Sequence, residues 1–174
     1  DKSGEFTMDN STGNIEFNHV DFSYILGKQV LHDFNLKVKA GQKVALVGST
    51  GSGKTTVVNL LMRFYDIDNG SITIDGVNIK DIDCENLRKN TAIVLQDTVL
   101  FADTVKNNLL YSRQDATDTE IIAAAKKANC HNMIMHLPDG YDSMLAKDGQ
   151  NLSQGQRQLL SIARAFVASP KILI

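Results

Sequence analysis

Only two cysteines occur in the 174 residues, Cys84 and Cys130, and neither has a neighbour at metal-ligand spacing. A cysteine metal site is therefore excluded, and both residues read as the reduced thiols of a cytosolic protein. The four histidines, His19, His32, His131 and His136, have no mutual spacing that suggests a metal either. Long apolar runs are also missing. Stretches such as "IIAAA", Ile121 to Ala125, stop far short of the ~18 residues that a membrane span needs. There is no basic excess: 18 Lys and Arg stand against 20 Asp and Glu, a net charge of −2, so the electrostatic footprint of a nucleic-acid-binding protein is lacking. The opening "DKSGEFTMDNSTGN" has no apolar core of the signal-peptide type. Residues 1–13 are expected to be a disordered leader. The sequence has neither an internal repeat nor a low-complexity tract.

What is present is 43% hydrophobic residues, enough for one domain with a real core. From Asn14 to Val38, Ile15 and Phe17, then Phe34, Leu36 and Val38, alternate at a spacing of two, which predicts antiparallel strands. "DNGSITIDGVNI", Asp68 to Ile79, has the pattern of a hairpin closed at Asp75-Gly76, and "TAIVLQ", Thr91 to Gln96, reads as a further strand. The second half changes character. Asp103 is placed to cap a helix beginning near Thr104, and Thr117 and Glu120 have capping-box spacing ahead of a helix through about Cys130. Residues from about 103 to 150 thus read as a mainly helical insertion. Ser153 and Gln156 form a second capping box, followed by an apolar stripe of Leu159, Ile162, Ala163, Phe166 and Val167 and by Pro170, which ends the helix. "KILI" then begins a buried strand.

The chemistry is concentrated in "GSTGSGKT", Gly48 to Thr55, which has the spacing G-x-x-x-x-G-K-[ST]. Gly48, Gly51 and Gly53, with Ser49, Thr50 and Ser52 between them, let the backbone turn tightly with several N–H groups facing inward, a cradle for phosphate oxygens. Lys54 supplies a point charge that reaches the outer phosphates, and the Thr55 hydroxyl suits a magnesium ligand, with Thr56 closing the segment. "KVALV", Lys43 to Val47, reads as a short buried strand before the loop, and "KTTVVNLLMRF", Lys54 to Phe64, as an amphipathic helix after it. That order aims a helix N-terminus at the phosphates, which a mere flexible Gly/Ser turn would not do.

Three further stretches, "VDFSY" (Val20 to Tyr24), "VLQD" (Val94 to Asp97) and "NLSQGQRQLLSIARA" (Asn151 to Ala165), together with the phosphate loop, resemble in order and separation the nucleotide-binding domain of ATP-binding cassette (ABC) transporters. The likeness runs from about Asn14 to Ile174. Within the family, "LMRFYD", "GSITIDGVNI", "TVLFADTVKNNLLY" and "LPDGYDS" resemble the exporter branch that carries lipids or drugs. The resemblance implies an α/β P-loop NTPase fold with an antiparallel β subdomain, a mainly parallel core sheet and a helical insertion. It also implies ATP and Mg²⁺ as ligands, and a place on the cytoplasmic face of the membrane.

Residue by residue, the resemblance assigns Tyr24 to stacking on adenine, where the alternative is a strand tyrosine packed in the core. It assigns Gln96 to magnesium or the attacking water, where the alternative is a structural amide. Lys54 and Gln96 become the catalytic candidates. Ser153, Gln154, Gly155 and Gln156 become the signature that meets the γ-phosphate on a second such domain in a head-to-tail dimer, a role compatible with helix capping because a helix N-terminus exposes N–H groups and positive dipole. Gln154 stands where the family usually has glycine, and Asp148-Gly149 where the exporter branch often has Glu-Arg-Gly. The family's next motif is an apolar run ending in Asp-Glu; "KILI" supplies the run and the sequence as given holds neither acid. The expectation is a C-terminally incomplete domain that binds ATP without hydrolysing it, partnered in its parent by a transmembrane domain and a second nucleotide-binding domain. Rival readings are a soluble ABC protein without membrane partner, a small-metabolite kinase, for which "LSQGQRQ" has no use, and a nucleotide-dependent dimerisation module.

Overall fold

The computed structural model describes residues 4–95 and 97–174, which form two compact units, one ending at Thr91 and one running from Ala92 to Ile174. In the first, β1 (Ile15–Ile25) and β2 (Lys28–Val38) form the long antiparallel pair expected from the alternation, followed by α1 (Lys54–Leu61), β3 (Asn69–Ile74), β4 (Val77–Asn78) and α2 (Cys84–Lys89). The sheet runs β2-β1-β3-β4, with every pairing antiparallel.

The apolar rhythm of β1 slips once. Ile15 and Phe17 are buried, and so are Val20 and Phe22, so an extra residue must be absorbed between the two pairs if all four are to face the core. A bulge absorbs it: the register shifts between Phe17 and Val20, and His19 takes φ 49°. Opposite the bulge stands Gly70 on β3, at φ 84°, where a Cβ would lie 2.2 Å from the His19 carbonyl oxygen. No other residue fits there. The β3–β4 hairpin turns at Asp75 and Gly76 with φ 49° and 84°, the two positive values that a type I′ turn demands.

Residues 4–13, expected to be disordered, are packed instead; residues 1–3 lie outside the described residues. Phe6 exchanges backbone hydrogen bonds with Asp81 and Asp83, and Met8 is buried. The Asp75 carboxylate accepts hydrogen bonds of 2.5–3.1 Å from Ser11 Oγ, Thr12 N and Oγ1, Gly13 N, and Asn14 N and Nδ2. A polar segment that cannot build a core is held by one charged acceptor at a hairpin turn.

Two expected strands differ from the structure. "KVALV" forms no strand, and its apolar side chains are exposed, Val47 to 89%. No strand among the described residues pairs with it, so its backbone has no ladder and its side chains no sheet face to pack on. The strand expected over Thr91 to Gln96 shortens to β5 (Thr91–Ala92). It pairs with β6 (Ile172–Leu173), where Ile174 donates to the Ala92 carbonyl and accepts from Val94 N, the staggered pattern of a parallel pair. This two-stranded piece stands where a mainly parallel core sheet is expected.

The second unit is helical: α3 (Val105–Leu110), α4 (Asp118–Lys127), α5 (His131–Met135) and α6 (Gln154–Val167). Both capping boxes form. Thr117 accepts from Glu120 N while the Glu120 carboxylate accepts from Thr117 N, and Ser153 and Gln156 do the same ahead of α6. The cap of α3 is Thr104 rather than Asp103, whose carboxylate instead accepts from Thr104 N and Asn107 Nδ2. Leu109, Ile121, Ala125, Ile134, Leu160 and Ala163 pack in one core. Because that core includes α6, the helical body is larger than the 103–150 insertion. Cys130 lies in it as a small apolar residue, its thiol pushed up to about 11 by burial.

Candidate functional site

The phosphate-loop motif sits directly on α1. Gly53 is the N-cap residue at φ 88°, a left-handed value, and no side chain caps the helix, so its first turn begins bare of local acceptors. A Cβ on Gly53 would stand 3.0 Å from Leu31 Cδ2 and 3.6 Å from Val30 Cγ1, so glycine is required both for the conformation and for the approach of the loop to β2. Gly51 is also left-handed, at φ 87°. Lys54 Nζ folds back over the loop, donating to the carbonyl oxygens of Gly48 and Ser49 at 2.8 Å each, with Ser52 Oγ at 3.5 Å. Ser49 also accepts from Ser52 N, closing the loop's own turn, while Thr50 is exposed at its tip. The ammonium is thus already at the mouth of the loop, held by weak neutral acceptors that an anion would displace.

The two threonines that begin α1 have opposite surroundings. Thr55 is exposed; Thr56 is buried and its hydroxyl accepts from the Tyr24 hydroxyl at 3.2 Å. Asn59 Nδ2, one turn further along α1, donates to the same Tyr24 oxygen at 3.3 Å. Tyr24 is 45% exposed, so it is not simply a core strand residue. Its ring stands perpendicular to those of Phe22, centroids 4.8 Å apart, and Tyr65, at 5.0 Å. Neither Asn59 nor Tyr65 carries a role of its own in the motif spacing. The signal available was the aromatic pair in "RFYD" just past the α1 apolar pattern.

An exposed threonine hydroxyl at a helix start suits a hard, oxygen-seeking ion such as Mg²⁺, whose remaining positions water and phosphate oxygens fill. No group of three or more His, Cys, Asp or Glu among the described residues could hold a metal ion, so a resident all-protein metal site is not offered here. Gln96, the other expected magnesium ligand, lies outside the described residues.

Ser153 to Gln156 stand in the second unit at the start of α6. Ser153 Oγ accepts from Gln156 N at 3.2 Å and Gln156 Oε1 accepts from Ser153 N at 2.8 Å; Ser153, Gln154 and Gly155 are exposed. Just ahead, Asp148 and Gly149 both adopt positive φ, 55° and 63°, and a Cβ on Gly149 would come within 2.8 Å of Leu100. Further along α6, Arg164 donates to Asn108 O, Asn108 Oδ1 and Val99 O at 2.8–3.0 Å. It also lies over the rings of Phe101 and Tyr111. Arg164 so ties the segment around Val99 to the signature helix, and its role was not visible from the signature pattern alone.

Comparison with known proteins identifies the family. The family model described as ABC transporter matches residues 31–174. An uncharacterized ABC transporter ATP-binding protein of Bacillus subtilis is 53% identical over 163 residues, covering 94% of this chain and 27% of that protein. A putative multidrug export ATP-binding/permease protein of the same organism is 46% identical, covering 100% and 30%. A fatty acid ABC transporter ATP-binding/permease protein of Mycobacterium bovis is 47% identical, covering 96% and 26%. The chain therefore spans less than a third of each of these relatives. Among solved structures, a bacterial Atm1-family ABC exporter with ATP bound superposes with a TM-score of 0.88 at 40% identity, over 99% of this chain and 30% of that one. The chain belongs to the ABC transporter family and has its P-loop ATPase fold.

Proposed function

We propose that this chain is the ATP-binding part of an exporter, in which ATP binding and hydrolysis drive lipid or drug-like molecules across a membrane. The observation that carries the reading is the loop from Gly48 to Thr55 seated on the N-terminus of α1, with Lys54 Nζ held over its mouth and Tyr24 fastened to Thr56 in the same unit. Gly48 to Thr56 hold the phosphates, Lys54 leaves its carbonyl acceptors for a phosphate oxygen, Tyr24 stacks on the base, and Thr55 is a ligand of Mg²⁺ when the ion is bound. When bound, the ion neutralises charge on the outer phosphates. The family resemblance assigns Gln96 to the magnesium ion or the attacking water as well. Ser153 to Gln156 serve a second copy of the domain, identical or not, in a head-to-tail pair, and a transmembrane domain of the same transporter takes up the motion on the cytoplasmic side of the membrane. The relatives named as ATP-binding/permease and multidrug export proteins support the partner and the cargo class.

For the 174 residues themselves we infer binding without turnover, because the water-polarising acid of the family is not among them and loss of such a group costs about 10² or more in rate. Calorimetry and phosphate release with MgATP test both statements. Lys54→Ala weakens ATP by about 1.5 to 3 kcal/mol, since it removes a charge-assisted contact. Phosphate release by the unsubstituted chain does not exceed that of this variant. Unchanged affinity in Lys54→Ala removes the site assignment, and Lys54-dependent phosphate release removes the inference of inactivity.

A further inference from the structure

Tyr24 is a planar side chain on a β-strand that ends nearby at Ile25, and a ring at a strand end is free to swing unless something holds it. The structure holds it from two directions. At its tip the hydroxyl donates to Thr56 and accepts from Asn59. At its side the ring of Tyr65 stands at 89° to it with centroids 5.0 Å apart, and Tyr65 also meets Phe22 at 5.9 Å, so three aromatic rings brace one another.

Tyr65 is itself placed by the way α1 ends. Arg63 takes a left-handed φ of 52°, its N–H donates to Leu60 O, and Phe64 N donates to Asn59 O, which turns the chain back along the helix it has just left. Asn59 thus gives its carbonyl to the turn that aims Tyr65 and its side-chain amide to Tyr24. Tyr65 is 48% exposed, so its ring is not there to fill the core.

We propose that Tyr65 is a positioning residue for base recognition, whose ring, set by the C-terminal turn of α1, fixes the tilt at which Tyr24 meets the base of the bound nucleotide. The proposal rests on the reading of Tyr24 as the base-stacking residue. Edge-to-face pairs of this kind confer orientation beyond their buried area, and a stacking platform is effective only when its plane is held before the ligand arrives. The contribution is specific to the base half of the nucleotide, because Tyr65 has no part in the phosphate loop.

The test measures affinity for ATP and for inorganic tripolyphosphate, both with Mg²⁺, by calorimetry on the 174-residue chain and on Tyr65→Ala, Tyr65→Phe, Tyr24→Ala and the Tyr24→Ala/Tyr65→Ala double variant. Tyr65→Ala is expected to weaken ATP roughly 3- to 10-fold, the range of an aromatic pair, and to leave tripolyphosphate unchanged. Tyr65→Phe recovers the ATP affinity because it keeps the ring. In the Tyr24→Ala background the second substitution adds nothing, since there is no longer a ring to orient. The proposal is overturned if Tyr65→Ala weakens both ligands equally, which is what a merely structural role produces, if it weakens neither, or if its effect persists without Tyr24. A Tyr24→Ala variant that binds ATP normally, or an unsubstituted chain that does not bind ATP, overturns the stacking reading and this proposal together.

Discussion

Lys54 and Tyr24 are both picked out in the sequence, Lys54 because residue type and spacing state its chemistry, a cation closing a glycine loop, and Tyr24 because "VDFSY" resembles the adenine-contacting segment of the family. Their partners are not. Thr56, Asn59 and Tyr65 reach Tyr24 only because β1 and α1 are brought side by side, and no local spacing encodes a contact between residues 24 and 65. Asp75 is a similar case. Its turn is plain from Asp75-Gly76, yet the same carboxylate collects the hydroxyls of Ser11 and Thr12, the N–H of Gly13 and the amide of Asn14 from more than sixty residues away. Burial pushes the Asp75 carboxyl up, but those hydrogen bonds outweigh it and hold the group far below the usual carboxylate range. Removing this acceptor leaves the donors of residues 11–14 without their charge, so Asp75→Ala is expected to destabilise the chain by about 2 kcal/mol. Asp75→Asn, which keeps a residue tolerant of left-handed φ but offers a single neutral acceptor, should fall between the two. Urea denaturation of the three proteins checks the order, and equal midpoints would reduce the clasp to a coincidence of surface groups.

At the scale of elements, the two capping boxes show what short-range signals can specify. Both capping boxes are present because donor and acceptor are neighbours in the chain and need nothing else to meet. Strands depend on what lies beside them, and this is why "KVALV" reads as a strand and forms none among the described residues: apolar content was visible, a pairing partner was not. The box at α4 also has a pH signature. The Thr117 N–H, then the Thr117 hydroxyl, then the Arg113 guanidinium hold the Glu120 carboxyl at about 2, below its ordinary 4.5. A folded value lower than the unfolded one means that the stabilisation is complete above about 4.5 and is lost as pH falls through about 2. Hydrogen exchange of α4 amides should therefore show Glu120→Gln less protected than the unsubstituted chain at pH 6, with the gap closing between pH 4.5 and 2. A gap that stays constant over that range would assign the protection to the helix rather than to the charge.

For the whole molecule, the two compact units divide the proposed work: the loop that receives a nucleotide is in one and the signature that meets another copy's nucleotide is in the other. Pairing of two nucleotide-binding domains in ATP is then the property to measure, by light scattering. Ser153→Arg is expected to abolish ATP-dependent pairing while ATP binding to the single domain is retained; pairs that persist would leave Ser153 as a helix cap alone. The geometry of that cap separates the two roles more finely. Ser153 Oγ spends a lone pair on Gln156 N, and among the described residues no acceptor takes its proton. Facing inward the oxygen is an acceptor; facing outward it still has a hydrogen to give. Aspartate caps a helix as well as serine does but has no hydrogen to offer and adds negative charge. Ser153→Asp should consequently leave the circular dichroism of α6 intact and still fail to pair in ATP, which would part the capping role of the side chain from what its outward side offers a phosphate.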